Sequence, residues 1–224
     1  MFDKEKTQGF SIRGNSACIV GCGGLGCNVA VHLAGAGIGT LYICDFDTVS
    51  LTNLNRQFLF TAKGAGQPKC EAMKNRLLEF APDVEYVAIN KKLSTADDLD
   101  FAKKCDVIIC TADNVRCREV VEDFCEAHNI PLVCGGIDDF YGMAYLHIPN
   151  ISEKASQVGF TQSDGVNSNI SATAGIIGSA QAALAIQYLI TKDTALSGKL
   201  LVYDENRFDT LNIKRQKQRG EQHG

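Results

Sequence analysis

The sequence predicts an α/β domain: a mostly parallel sheet with helices on both faces and an antiparallel C-terminal extension. Three observations predict it. Short runs of β-branched residues alternate with helix-period stretches through the first 135 residues. A glycine-rich turn joins the first strand to the first helix. Two adjacent strands joined by a tight turn follow the last helix, the mark of an antiparallel pair.

ACIVG (17–21) and TLYICD (40–45) read as strands, with a helix over GLGCNVAVHLAGAG (24–37) between them. GQPKCEAMKNRLLEFAP (66–82) is the next helix, with Met73, Leu77, Leu78 and Phe80 on one face and Pro82 as its stop. VEYVAI (84–89) and DVIIC (106–110) are the third and fourth strands, followed by a helix over 114–128 and a strand PLVCG (131–135). That succession implies right-handed crossovers. After Gly142 the pattern changes: a strand MAYLHI (143–148), a polar stretch over 149–168 without clear period, and an apolar helix over 172–190. Strands KLLVYD (199–204) and RFDTLNI (207–213) close the order. With no internal repeat and no linker-like stretch, residues 1–224 read as a single Rossmann-like domain.

Composition excludes several function classes. Twenty-two basic residues are interspersed with 26 acidic ones for a net charge of −4, which is no nucleic-acid footprint. The basic tail IKRQKQRGEQHG reads as a frayed end. MFDKEKTQGF lacks the apolar core of a signal peptide. Ser179, Gln181 and Gln187 interrupt the long apolar helix, which reads as packed inside the protein rather than through a membrane. Ten cysteines form no C-x-x-C pair, so no paired zinc site is expected. Cys18, Cys44, Cys110 and Cys134 sit in apolar runs, as reduced core thiols of a cytoplasmic protein do.

VGCGGLGCN places Gly21, Gly23, Gly24 and Gly26 between a strand and a helix. Such glycines let the backbone approach phosphates, and the helix start offers unpaired N–H groups. Asp45, at the tip of the second strand, is placed to accept ribose hydroxyls. A tight turn that needs glycine only for packing is the other reading. The loop DFDTVSLTNLNRQFLF (45–60) then runs on past Asp47, Asn53, Arg56 and Gln57, and Lys69 opens the next helix. Cations beside a phosphate-cradling turn suit a triphosphate whose leaving group must be neutralised. An NAD-dependent oxidoreductase is the alternative on the same fold, and it needs little beyond the acid. Asp113, in TADN after the fourth strand, is either a magnesium ligand or a helix N-cap. Arg56 and Lys69 as solvated charges, and Asn53 and Gln57 as partners of loop carbonyls, are the plain structural readings.

GCGGLGCN, DFDTVSLTNLNRQ, GQPK and TADN, in this order and spacing, resemble the ThiF/MoeB/HesA family of ubiquitin-activating-like adenylyltransferases. The resemblance covers about residues 15–214, including GIIGSAQAALAIQYL and LSGKLLVYD. It implies ATP-dependent adenylation of the C-terminal Gly-Gly carboxylate of a small ubiquitin-like sulfur carrier protein, with release of pyrophosphate. By that resemblance Gly21, Gly23, Gly24 and Gly26 hold phosphates and Asp45 the ribose. Asp47, Asn53, Arg56 and Gln57 belong to the same nucleotide site, Lys69 stabilises pyrophosphate, and Asp113 binds magnesium. Arg56, Lys69 and Asp113 are then the catalytic set, and Leu51, Leu54, Phe58 and Leu59 are apolar pegs for the loop. Phe140, Tyr141 and Phe160 either line the carrier's path or belong to the core.

The chain departs from the family in three respects. The paired zinc cysteines of many members are missing. NISEKASQVGFTQSDGVNSN (150–169) carries no cysteine, so adenylation is expected without a thioester in the crossover loop. Arg13 lies too near the glycine turn to be the arginine that a partner subunit often supplies. The family implies a homodimer. A non-catalytic or peptide-modifying relative is a further alternative.

Overall fold

A computed structural model describes residues 11–160 and 170–213. The first ten residues, the tail from 214 and the 161–169 part of the crossover stretch lie outside them. In chain order the described elements are β1 (Ser16–Val20), α1 (Gly24–Gly35), β2 (Thr40–Cys44), α2 (Lys69–Phe80), β3 (Glu85–Ile89) and β4 (Val107–Cys110). Then follow α3 (Val115–His128), β5 (Leu132–Asp138), β6 (Tyr141–His147), α4 (Ser171–Thr191), β7 (Lys199–Asp204) and β8 (Arg207–Asn212).

The strands form one sheet in the order β3-β2-β1-β4-β5-β6-β7-β8. β3, β2, β1, β4 and β5 are mutually parallel, and β6, β7 and β8 join antiparallel. Strands such as CIV and VIIC are buried on both faces because helices cover both sides of a parallel sheet. One apolar cluster gathers α1, α2 and α4 around Ile19, Leu33, Met73 and Ile177; the other gathers α3 around Ile108, Phe124 and Tyr145. The chain leaves β1 toward β2 and returns to β4 on its other side. A crevice therefore opens beyond the carboxyl ends of β1, β2 and β4.

Helix α4 is long and apolar enough to cross a bilayer, yet it packs against α1 and the sheet. Missing side chains permit that closeness. A Cβ at Gly135 would overlap the Gln181 amide, and one at Gly142 would overlap Ile177. The same glycines explain a shift from expectation. Gly135–Gly136 and Gly142 suggest breaks, but β5 and β6 run straight through them and turn at Asp139 and Phe140. In α2, Met73 and Leu77 are buried with Cys70, whereas Leu78 and Phe80 are exposed, so the buried stripe is narrower than the sequence pattern.

All ten cysteines are free thiols, nine of them buried and Cys117 partly so. Burial pushes the thiols of Cys27, Cys44, Cys105 and Cys117 up to about 12 from an ordinary 9.0. The unfolded chain ionises these groups near 9.0 while the folded chain keeps them protonated. The unfolded state then binds fewer protons, and stability falls as pH rises. Thermal melts should show this destabilisation growing from pH 9 toward pH 12, and absent below it. Replacing Cys44 by Ser should shrink the alkaline loss. An alkaline limb identical in that variant and the parent would contradict the assignment.

Candidate active site

The glycine turn is held by neighbours on three sides. Gly21 has φ +103°, a backbone that strongly favours glycine. Thr111 Oγ1, at the end of β4, donates to the Gly21 carbonyl at 2.6 Å and lies 3.0 Å from the Val20 carbonyl. A Cβ at Gly26 would collide with the Gly21 carbonyl, and one at Gly24 would press on Ala174 of α4 and the Arg56 carbonyl. Gly24 and Gly26 thus shape the turn from behind, while Gly21 and Gly23 line the crevice. Gly23 is the N-cap of α1 and supplies no side-chain cap, which leaves the first N–H groups of a 12-residue helix unpaired at the crevice.

Asp45 joins this turn to the loop that follows β2. Its Oδ2 accepts the Cys22 N–H at 2.6 Å, and its Oδ1 accepts the Asp47 N–H at 2.8 Å. The loop then runs beside the entry to α2. Val49 N–H donates to Gln67 at 2.8 Å, Gly66 N–H to Val49 at 2.9 Å, and Lys69 N–H to Asp47 at 2.8 Å. Ser50 N–H donates to Asn53 Oδ1 at 3.0 Å, closing a capped single turn over Leu51–Asn53. The expected pegs divide: Leu54 and Leu59 pack on the core, but Leu51 and Phe58 are each 63 % exposed. Val49 and Phe60 are the buried anchors in their place: Val49 is fixed by its hydrogen-bonded pairing with Gly66 and Gln67, and Phe60 follows the turn in which its N–H donates to the Gln57 carbonyl.

Besides Thr111, two buried polar side chains line this crevice. Lys69 is only 7 % exposed, and its Nζ lies 3.0 Å from Asp47 Oδ2. Gln57 is 3 % exposed, and its Oε1 has no hydrogen-bond partner among the described residues. A buried amide oxygen without a partner costs about 1–3 kcal/mol, so it marks a place where a ligand or water belongs. Arg56 Nη1 rests on Asn55 Oδ1 at 3.0 Å.

The crevice encloses about 710 Å³, within the usual ligand-pocket range of roughly 300–1,000 Å³. Gly21, Gly23, Asp45, Asp47, Asn53, Arg56, Gln57, Lys69 and Asp113 all line it. Asp113 is exposed at its wall and is not the cap of α3; Asn114 takes that role, accepting the Cys117 N–H at 2.7 Å. The structure adds Lys91, Lys92, Thr111 and Arg116, which sequence reasoning missed. Lys91 and Lys92 follow β3 at the same edge as the loop after β2, which was their signal. Lys91 and the N–H groups of Ser94 and Thr95 hold the Asp98 carboxyl well below the ordinary carboxylate range and so fix that loop. Lys92 Nζ sits 5.5 Å from the centre of the Phe46 ring. Five cationic side chains thus surround three carboxylates. Such a lining suits an anion of several charges.

Of the other anticipated residues, Phe140 and Tyr141 are exposed at the β5–β6 turn, and Phe160 is buried against α3. No group of three or more His, Cys, Asp or Glu is placed to hold a metal among the described residues. Asp113 therefore fits a magnesium ion only as a single carboxylate beside phosphate and water oxygens, the usual manner for this ion.

The chain matches the profile described as the ThiF family over residues 5–223. It is 31% identical over 214 residues to the adenylyltransferase and sulfurtransferase MOCS3 of Aedes aegypti, covering 91% of this chain and 48% of that protein. It is 31% identical to the sulfur carrier protein ThiS adenylyltransferase of Escherichia coli strain K12, covering 83% of this chain and 76% of that one. This chain therefore spans about half the length of the MOCS3 relative. Among solved structures, MccB of E. coli with ATP superposes with a TM-score of 0.81 at 23% identity, over 92% of this chain and 65% of that one. That likeness is one of fold.

Two glycine variants separate turn-building from cleft-lining. Gly26→Ala should lower stability to urea by about 1–3 kcal/mol, since a backbone carbonyl must move. Gly23→Ala, with nothing within 4 Å of the added methyl, should cost less than about 1 kcal/mol. Equal losses would refute the division of roles.

Proposed function

Since the chain belongs to the ThiF family, we propose that it adenylates the C-terminal Gly-Gly carboxylate of a small ubiquitin-like sulfur carrier protein with ATP. One observation carries this reading. Arg56, Lys69 and Asp113 line a single cleft with the uncapped start of α1, although they come from the loop after β2, the first turn of α2 and the loop after β4. The named relatives are adenylyltransferases, which supports the same class.

In the proposed reaction an oxygen of the carrier carboxylate attacks the α-phosphorus of ATP. The bond from that phosphorus to the oxygen bridging the β-phosphate breaks, giving an acyl-adenylate and pyrophosphate. The turn at Gly21 and Gly23 brings backbone N–H groups close to the phosphates, with Gly24 and Gly26 holding its shape. Asp45 keeps acceptor capacity for ribose hydroxyls beyond its two backbone bonds. Asn53, Arg56 and Gln57 surround the triphosphate, and the unpartnered Gln57 oxygen is matched there by a donor. Lys69, with Asp47 orienting its ammonium, stabilises the charge that passes to pyrophosphate. A magnesium ion held by Asp113 would supply further neutralisation of the phosphates when bound.

Residues 1–224 act in this reading as one adenylation domain, cytoplasmic and paired as a homodimer. No thioester stage is assigned. Residues 150–169 contain no cysteine, and the most exposed thiol, Cys117, is pushed up to about 12 by burial. The cationic lining disfavours an NAD-dependent oxidoreductase.

A pyrophosphate-exchange assay with ATP, magnesium and candidate Gly-Gly proteins tests the proposal. Exchange is expected only with an acceptor present. Arg56→Ala and Asp113→Ala should each lower it by about a hundredfold or more. Undiminished exchange in both variants would remove the site assignment.

A further inference from the structure

Helix α3 carries three polar side chains one turn apart, Arg118, Glu122 and Glu126, and all three grip the chain between 147 and 160. Arg118 Nε donates to the Ala112 carbonyl at 2.8 Å and Nη1 to the Phe160 carbonyl at 3.3 Å. Its Nη2 lies 3.5 Å from the Gly135 carbonyl, and the guanidinium sits 6.0 Å from the centre of the buried Phe160 ring. One turn on, Glu122, 5 % exposed, accepts the Ser156 N–H at 3.1 Å and the Ser156 hydroxyl. A further turn on, Glu126 Oε1 meets Nε2 of the buried His147 at 2.6 Å, and the other ring nitrogen lies 2.9 Å from the Glu153 carbonyl.

Only the first of these clamps also reaches the cleft. Ala112 lines it and immediately precedes Asp113. Arg118 itself does not line the cleft, so it acts on the cleft through backbone alone. A guanidinium is suited to this, because its rigid fork binds several carbonyls at fixed relative positions where an ammonium binds them singly.

We propose that Arg118 is a positioning residue that couples the nucleotide cleft to the segment ending at Phe160, holding Ala112 and Phe160 in one register. The proposal rests on the nucleotide-binding reading above. A nucleotide that stiffens residues 111–113 strengthens the Arg118–Ala112 bond and, through the same side chain, the hold on Phe160. Such coupling is reciprocal: a protein acceptor that orders this segment tightens nucleotide binding by the same factor.

Amide hydrogen exchange on the full chain tests this, with a non-hydrolysable ATP analogue and magnesium as the probe. In the wild type, the analogue should slow exchange at residues 155–160 by about fivefold or more, the lower end of usual coupling energies. Arg118→Met should bind the analogue yet lose that slowing, and Glu122→Gln, which loosens the same segment without touching Ala112, should keep it. Should Arg118→Met fail to fold, Arg118→Lys replaces it, since lysine keeps the charge without the fork. Slowing that persists in the Arg118 variant, or that is lost equally in Glu122→Gln, overturns the proposal. A wild type that binds no analogue refutes the nucleotide reading itself, whereas binding without slowing refutes only the coupling.

Discussion

The Asp45 carboxylate, with one oxygen on the Cys22 N–H and the other on the Asp47 N–H, fixes the glycine turn and the loop after β2 in a single geometry. The sheet ladder ends here, with the Gly21 N–H on the Cys44 carbonyl and the Asp45 N–H on the Ile89 carbonyl. Without Asp45, the turn keeps its Thr111 bonds, the Gly21 N–H bond to the Cys44 carbonyl and the close approach of Gly26, and the loop keeps its own capped turn and its pairing with the entry to α2, but nothing ties the two together directly. Because both partners are backbone N–H groups of a charged acceptor, these are strong hydrogen bonds, each about twice a neutral one. The positions of Asn53, Arg56, Gln57 and Lys69 follow from that junction.

What results is a cleft whose polar groups are placed before any ligand arrives. Lys69 is nearly buried and oriented by Asp47, and Gln57 is buried with an oxygen still unused. Burying such groups carries a desolvation cost that the free protein bears through its core, the usual arrangement where a site must stabilise charge without reorganising. The fold supports it from behind. Small residues at Gly24 and Gly178 let α1 and α4 pack closely, so the start of α1 rests on a rigid neighbour.

Much of this was legible in the sequence. All eight strands and four helices read correctly in order because apolar period and punctuation agreed at each. The glycines, Asp45, Arg56, Lys69 and Asp113 read as one edge because they follow strand ends, and the structure brings all but Gly24 and Gly26, which lie behind the turn, into one crevice. What failed is instructive. Leu51 and Phe58 look like anchors by type, but only the non-local pairing of 48–49 with 66–68 decides which side chains turn inward. The run of Gly135, Gly136 and Gly142 looks like a break, yet Gly135 and Gly142 mark the near approach of α4 and Gly136 faces Arg118 and Phe160, residue separations no local pattern reports. Thr111, Arg116 and Arg118 were equally silent, since their contacts are made across the sheet or around a helix.

Calorimetric titration of the unliganded chain with AMP, ADP, ATP and NAD, at fixed magnesium and ionic strength, tests most directly whether this cleft is organised for a chain of phosphates. Affinity should rise with each added phosphate, with ATP well ahead of NAD and its advantage falling in Lys69→Met. Affinities that are flat from AMP to ATP, or NAD bound more tightly than ATP, would contradict it.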